Sequence, residues 1–417
     1  MTTTDTTPEC CPEYAALSRR TLLGGALLGA TTVIGGAVVQ TAAASAQPAR
    51  AVMVVLSLRG AADGMSMVVP YGDPVYYRAR PRIAVPAERL LATDGFFGLH
   101  PAFRPLLPMW RNGKMAAVHA TGLPAPNRSH FSAMEELEDA APGSNIRSGW
   151  LNRLIGLDDR RTTPLQALNV GVGSAPGSLR GGAAFMNCQT VDTVEISGVT
   201  PGNQRRQKSL HTLWDGDRSP LGVATKRAFQ VVDDFGPAQR TSPKPQHAAR
   251  YPRGDLGQAL ATTARTIRGN VGVEVVTIDH GNWDMHSGLG SVDGGQMLQN
   301  VTELAQALAA FFTDLGPLAD KVTVVALSEF GRRVQENTNR GLDHGYGNVM
   351  LLAGAGVKGG RYYGRWPDIS DDLDSDLLVT TDYRSVLAEV VASRFDTSTS
   401  TVFPNFVRER VGVMQGV

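Results

Sequence analysis

Four short, almost uninterrupted apolar runs constrain this chain most. They are Ala51–Leu58 (AVMVVLSL), Val271–Asp279 (VGVEVVTID), Val322–Leu327 (VTVVAL) and Asn348–Ala353 (NVMLLA). A strand with one wet face alternates apolar and polar residues. A near-continuous Val-rich run of this length marks a strand buried on both faces, as in a central parallel sheet. Met115–Ala120 and Leu165–Val172 read as further strands. Helical patterns lie between the runs: Pro101–Trp110, a helix opened by Asn127-Arg128-Ser129 and reaching about Ala140, Leu221–Val232, Asp255–Gly269, Gln296–Leu315 and Thr381–Ala392. Strands alternating with helices at this spacing predict an α/β fold with a mainly parallel central sheet flanked by helices on both faces. Gly354-x-Gly356-x-x-Gly359 follows a strand, but it runs into Gly360-Arg361-Tyr362-Tyr363, which reads as an extended hairpin. Without a helix at that point the glycines do not make a dinucleotide-binding turn.

The start of the chain reads as an address. Ser18-Arg19-Arg20-Thr21-Leu22-Leu23 leads into an uncharged, Gly/Ala-rich stretch to Val39, followed by Ala44-Ser45-Ala46. This predicts a twin-arginine signal peptide over residues 1–46, cut after Ala46. The remainder, 47–417, is expected to be one domain with a polar insertion around 198–257. The implied partner is the twin-arginine export machinery, and the destination is extracellular, cell-wall or periplasmic. The apolar run is diluted by Gly and Thr and marginal for spanning a bilayer, so no stable membrane anchor is expected after cleavage. With 40 basic and 39 acidic residues the formal charge is +1. That balance offers no electrostatic footprint for nucleic acid. Cys10 and Cys11 fall in the leader, so Cys188 stands alone and no internal disulfide is expected in 47–417.

In parallel α/β sheets, ligands bind just outside the carboxyl ends of the strands. Polar clusters stand at those places. Asp279-His280-Gly281-Asn282-Trp283-Asp284-Met285-His286 packs two Asp and two His into eight residues. In an extended segment Asp284 and His286 point the same way, which suits a pair of metal ligands. Asp343-His344-Gly345 lies between two buried strands. Glu329 leaves a fully apolar strand and needs a partner, either a metal or Arg332 or Arg333. Asp63 follows the first strand, as a further metal ligand or a turn residue in Ala62-Asp63-Gly64. Ser129 sits at a helix start, where backbone N–H groups favour a phosphoryl or sulfuryl anion or simply receive a cap. His130 is either a site residue or a partner of the Glu135–Glu138 face.

These motifs together resemble the DUF1501 family of exported bacterial proteins. The resemblance rests on Arg59-Gly60-Ala61-Ala62-Asp63-Gly64, Val69-Pro70-Tyr71, Leu99-His100-Pro101, Ser129-His130-Phe131, Trp283-Asp284-Met285-His286, Ser328-Glu329-Phe330-Gly331-Arg332, Asp343-His344 and Gly356-Val357-Lys358-Gly359-Gly360. The family looks like a branch of the alkaline phosphatase and sulfatase superfamily. That implies an alkaline phosphatase-like domain and a divalent metal: zinc, calcium, magnesium or manganese. It implies Ser129 as the nucleophile and metal ligands among Asp63, Asp284, His286 and His344; beside these, the strand-end clusters put forward Glu329 and Asp343 as further ligands, His130 as a second catalytic residue, and Arg59 and Arg332 as substrate contacts. The expected activity is hydrolysis of a phosphate or sulfate ester, the small ester or envelope substrate being open. Asp284 and His286 are two apart where the superfamily has four, and no Cys-x-Pro-x-Arg stands at Ser129, which disfavours a formylglycine sulfatase. The alternative is a non-catalytic envelope binding protein, or degenerate enzyme, on the same fold, with Tyr71, Tyr76, Tyr77, Tyr362, Tyr363 and Trp366 as an exposed aromatic groove.

Overall fold

The computed structural model describes residues 31–34, 37–40, 48–157, 163–195 and 204–417. The Arg19-Arg20 pair and the Ala44–Ala46 signal lie outside the described residues. Strands β1 (Thr31–Ile34), β2 (Ala37–Gln40) and β3 (Val52–Leu58) come first, followed by the short pair β4 (Val68–Val69) and β5 (Gly98–Leu99). Then come β6 (Met115–Gly122), β7 (Ala167–Val170), β8 (Met186–Cys188), β9 (Val275–His280), β10 (Val322–Leu327) and β11 (Asn348–Gly354). The last two are β12 (Tyr362–Tyr363) and β13 (Thr381–Asp382).

One sheet runs β1-β2-β8-β7-β9-β3-β10-β11-β6-β12, with β13 also on β6. From β8 to β10 every pairing is parallel. β11 runs antiparallel to both β10 and β6. Tyr362–Tyr363 is extended as expected, but it forms no hairpin; it pairs in parallel with Ala117 and Val118 of β6. The described part of the expected leader, β1 and β2, is an antiparallel pair whose second strand joins Met186 and Asn187 of β8. Cleavage after Ala46 would remove both strands and leave β8 as the sheet edge.

The central strands are apolar throughout because each feeds two cores. In β3, Val52, Val54, Leu56 and Leu58 enter one cluster while Met53 and Val55 enter the other. β11 divides the same way, with Val349, Leu351 and Ala353 on one side and Met350 and Leu352 on the other. This is the two-residue period of a pleated strand. The first face is covered by the helices Pro220–Arg240, Asp255–Gly269 and Gln296–Leu315. The second is covered by His130–Asp139, Trp150–Ile155 and Tyr383–Arg394. Each buried Val, Leu or Phe contributes on the order of 1.5–3 kcal/mol. The polar stretch forms the helices Gln204–Asp215 and Pro220–Arg240, and Phe229, Val232 and Phe235 of the latter pack into the first core. Among the described residues no helix is long and apolar enough to cross a membrane.

The register decides where chemistry can gather. Leu58 of β3 lies beside His280 of β9, and Ser57 beside Leu327 of β10, so the three loops after these strands leave at one end. Thr121, near the end of β6, pairs with Asn348, the first residue of antiparallel β11. The loop leaving β6 and the loop entering β11 therefore arrive at that same end.

Candidate metal centre

The segment after β9 is pinned by its alternate side chains. Trp283 and Met285 are buried, while Asp284 and His286 are about half exposed. Trp283 donates from Nε1 to His280 Nδ1, and the Asn282 carbonyl accepts from Gln296 and Asn300 of the long helix. The period-two reading of Asp284 and His286 holds: both face the open side.

His344 arrives on a short antiparallel pairing. The Arg333 amide donates to the Asp343 carbonyl, the Gly345 amide to the Gly331 carbonyl, and the Gly331 amide to the Tyr346 carbonyl. A Cβ at Gly345 would lie 2.3 Å from the Arg332 carbonyl carbon, so only glycine lets the two segments approach. His130 is the first residue of the helix His130–Asp139 after β6.

Three imidazoles converge on one carboxylate oxygen. His344 Nε2 lies 3.0 Å from His130 Nε2 and 3.0 Å from His286 Nε2. Asp284 Oδ1 is 3.1 Å from His286 Nε2, 3.5 Å from His344 Nε2 and 3.6 Å from His130 Nε2. His130, Asp284 and His344 present ligand atoms that all lie within 4.8 Å of one another. Two ligands of a tetrahedral ion with bonds of 2.0–2.1 Å stand about 3.3 Å apart, within the span of these contacts.

The other ring nitrogens fix the protonation pattern. His130 Nδ1 is 2.9 Å from Glu329 Oε1, His286 Nδ1 is 3.0 Å from Asp343 Oδ1, and His344 Nδ1 is 2.9 Å from the Arg128 carbonyl oxygen. An ionised carboxylate or a carbonyl only accepts, so each Nδ1 donates. In the neutral rings all three Nε2 atoms then carry lone pairs that face one another. Facing lone pairs repel and form no hydrogen bond; Arg332 Nη1, 3.4 Å away, reaches His286 alone, so His130 and His344 are satisfied only with a cation, proton or metal, between them. Outer carboxylates that orient histidines in this way are the usual second layer of a metal site.

The charges respond accordingly. With no metal ion, hydrogen bonds to Asp284 and Glu329 hold the His130 imidazolium up to about 9 against the opposing effect of burial. Burial raises Asp284, but hydrogen bonds from His130, His344 and Arg332 outweigh it and hold the carboxyl well below its ordinary range. Glu329 is also lowered: burial opposes its charge, and bonds from His130, Ser328 and the Gly60 amide override that.

Not every expected residue meets at the inner nitrogens. Glu329 and Asp343 lie behind the ring of inner nitrogens: each meets the outer nitrogen of a histidine. His130, expected as a catalytic residue, stands with Asp284 and His344 in the group whose atoms could hold an ion. Asp63 is outside the cluster: it caps the helix Gly64–Met67, accepts from Ser66, and faces Arg80 in a sealed pair with contacts of 2.5 and 3.0 Å. Arg332, expected to contact substrate, is 1 % exposed; it donates to the carbonyls of Gly60, Ala61 and Leu342 and to Asp284. Arg59 does line the cleft, but Glu138 at 2.6 Å and Asp279 at 3.0 Å neutralise it. Ser129 caps the helix only by its backbone, and its exposed hydroxyl makes no cap bond. It sits between Arg128, whose carbonyl holds His344, and His130. The six aromatics give no exposed groove: Tyr76 is fully buried and the other five are half-buried.

Sequence reasoning missed the Arg128 carbonyl, which no side-chain pattern reveals. It also missed Gly60. Its φ is +109°, a Cβ there would lie 2.6 Å from the Asp284 amide, its N–H donates to Glu329, and its carbonyl accepts from Arg332. The next residue, Ala61, is held at φ 55°, a left-handed conformation that costs a non-glycine residue. The signal for both was the Arg59–Gly64 loop after the first strand.

Beside the cluster opens a cleft of about 940 Å³ bounded by His130, Asp284, Glu329, Arg59 and, on its apolar side, Phe131 and Met134. Phe131 is 62 % exposed.

The chain belongs to the DUF1501 family, described as a protein of unknown function, whose model matches residues 96–391. No curated protein matches the sequence. Among solved structures, the chain is similar to the C-terminal periplasmic domain of EcEptC from Escherichia coli in complex with Zn, at 10 % identity and a TM-score of 0.36, over 88 % of this chain and 92 % of that one. It is also similar to a protein in the alkaline phosphatase superfamily from Vibrio parahaemolyticus, at 10 % identity and a TM-score of 0.35, over 88 % and 71 %. At these scores the likenesses bear on nothing in the site, and the candidate metal centre rests on its own geometry.

Proposed function

We propose that this member of the DUF1501 family is an exported, metal-dependent hydrolase of phosphate or sulfate esters. The observation that supports it is the set of three histidines whose outer nitrogens are anchored and whose inner lone pairs aim at Asp284. His130, Asp284 and His344 would hold the ion. Two imidazoles and one carboxylate favour zinc over calcium or magnesium, which take oxygen-rich shells. A divalent cation there supplies a Lewis acid that polarises the ester oxygen and offsets the charge developing on it. Glu329 keeps the His130 ring oriented, and Arg128, through its carbonyl, does the same for His344. Ser129, between these two anchored residues, is the candidate nucleophile, and the first amides of the helix His130–Asp139 would face the transferred anion. The cleft beside the cluster would take the alcohol part of the ester against Phe131 and Met134. Export by the twin-arginine route agrees with a centre that is loaded during folding.

The test is turnover of aryl phosphates and aryl sulfates by the purified protein with zinc, manganese, magnesium or calcium, set against the His344→Ala variant. Activity that needs a metal and His344 supports the reading. A folded, metal-loaded protein that turns over none of these esters would instead support the non-catalytic alternative.

A further inference from the structure

Arg332 is buried as few arginines are. All five of its N–H groups meet acceptors. Nε donates to the Ala61 carbonyl at 2.7 Å, and Nη1 to the Leu342 carbonyl at 2.9 Å. Nη2 donates to the Gly60 carbonyl and to Asp284 Oδ1, both at 2.6 Å. The remaining Nη1 hydrogen points toward His286 Nε2 at 3.4 Å. A guanidinium satisfied on every side within a 1 % exposed pocket cannot swing away without leaving carbonyls and a carboxylate unpaired. Its charge is therefore a permanent part of the site.

Its position matters more than its rigidity. Asp284 Oδ1 and His286 Nε2 lie 3.1 Å apart and are the natural pair for a second ion. An ion within about 2.0–2.2 Å of both would face the two guanidinium nitrogens that already reach those atoms. Asp63, the acid expected after the first strand, is held the same way by the fully buried Arg80. Resting on the metal reading above, we infer that the centre is mononuclear, with Arg332 standing as a fixed positive charge where a second cation would bind. His130, Asp284 and His344 hold the one ion. Arg332 acts through Asp284 as a positioning residue, and His286 is shared between the guanidinium and the Asp343 carboxylate.

The test counts metal and does not need turnover. The full chain is stripped with a chelator, titrated with Zn²⁺, freed of loose ion by gel filtration, and analysed for zinc per chain. The wild type is expected to hold one equivalent, Arg332→Lys one, and Arg332→Ala two. A wild-type count of two overturns the inference while leaving the metal reading intact. A folded Arg332→Ala that still holds only one also overturns it. If Arg332→Ala does not fold by circular dichroism, the wild-type count of one or two decides alone. A wild-type count of zero removes the metal reading and this inference with it.

Discussion

Asp63 and Asp284 have the same side chain and the same type of neighbour, and they do opposite things. Each faces a buried arginine, Arg80 or Arg332. Asp63 is 2 % exposed, grips both ends of its guanidinium and accepts from the Ser66 amide. Both of its oxygens accept from fixed donors. The Asp284 side chain is 48 % exposed, gives one oxygen to Arg332, and shares that oxygen with three imidazole nitrogens. A carboxylate whose oxygens meet only fixed donors is structural, and one that shares an oxygen with imidazole nitrogens able to carry either a proton or a lone pair is a place for a cation. Burial and the direction of the neighbouring lone pairs separate the two, not residue type.

The comparison breaks most sharply by mutation. Asp63→Ala should leave Arg80 buried and unpaired, costing roughly 3–5 kcal/mol of stability. Denaturant unfolding would show it, while zinc affinity of the folded fraction should stay unchanged. His344→Ala should do the reverse: thermal stability of the metal-free protein barely moves, and zinc affinity falls by more than about 100-fold, since a ligand is lost outright. Glu329→Gln keeps the shape and weakens the hold on His130, so affinity should fall by about 10–100-fold, as for other groups that orient a ligand. Competition with a chromophoric chelator measures both. Phe131→Ala should raise KM for an aryl ester a few-fold and leave KM for a small alkyl ester unchanged.

A smaller effect lies away from the site. Burial lowers His100 and His119 to about 4, and His100 Nε2 and His119 Nδ1 have no hydrogen-bond partner. Both are depressed below the unfolded value of about 6.5. The unfolded chain therefore binds more protons than the folded one between about pH 6.5 and 4. Stability should be fully present above that window and decline as pH falls through it, seen as a falling Tm. His119→Phe should soften the decline, the new ring stacking where His119 now lies 4.4 Å from Phe97.

Much of the fold was legible because the central strands are buried on both faces, and Val52–Leu58, Val322–Leu327 and Gln296–Leu315 fall where periodicity placed them. The direction of β11 was not legible: an apolar run carries no sign of parallel or antiparallel pairing. The leader's apolar stretch was read as a detachable address, and its pairing with β8 depends on an edge strand more than a hundred residues away in sequence. At the site, the period-two pairing of Asp284 and His286 was visible locally. The split between ligands and their supports was not, because Glu329 and His130 are 199 residues apart and their roles follow from a 2.9 Å contact. The pairing of Asp63 was not legible, since a buried arginine seventeen residues on, Arg80, leaves no local mark.

The most direct measurement is an anomalous-scattering map from crystals of the protein grown with zinc. It should show a peak bounded by His130 Nε2, Asp284 Oδ1 and His344 Nε2, with Glu329 on the far nitrogen of His130. A zinc-loaded crystal with density elsewhere, or with hydrogen-bonded histidines and no peak between them, would contradict the account.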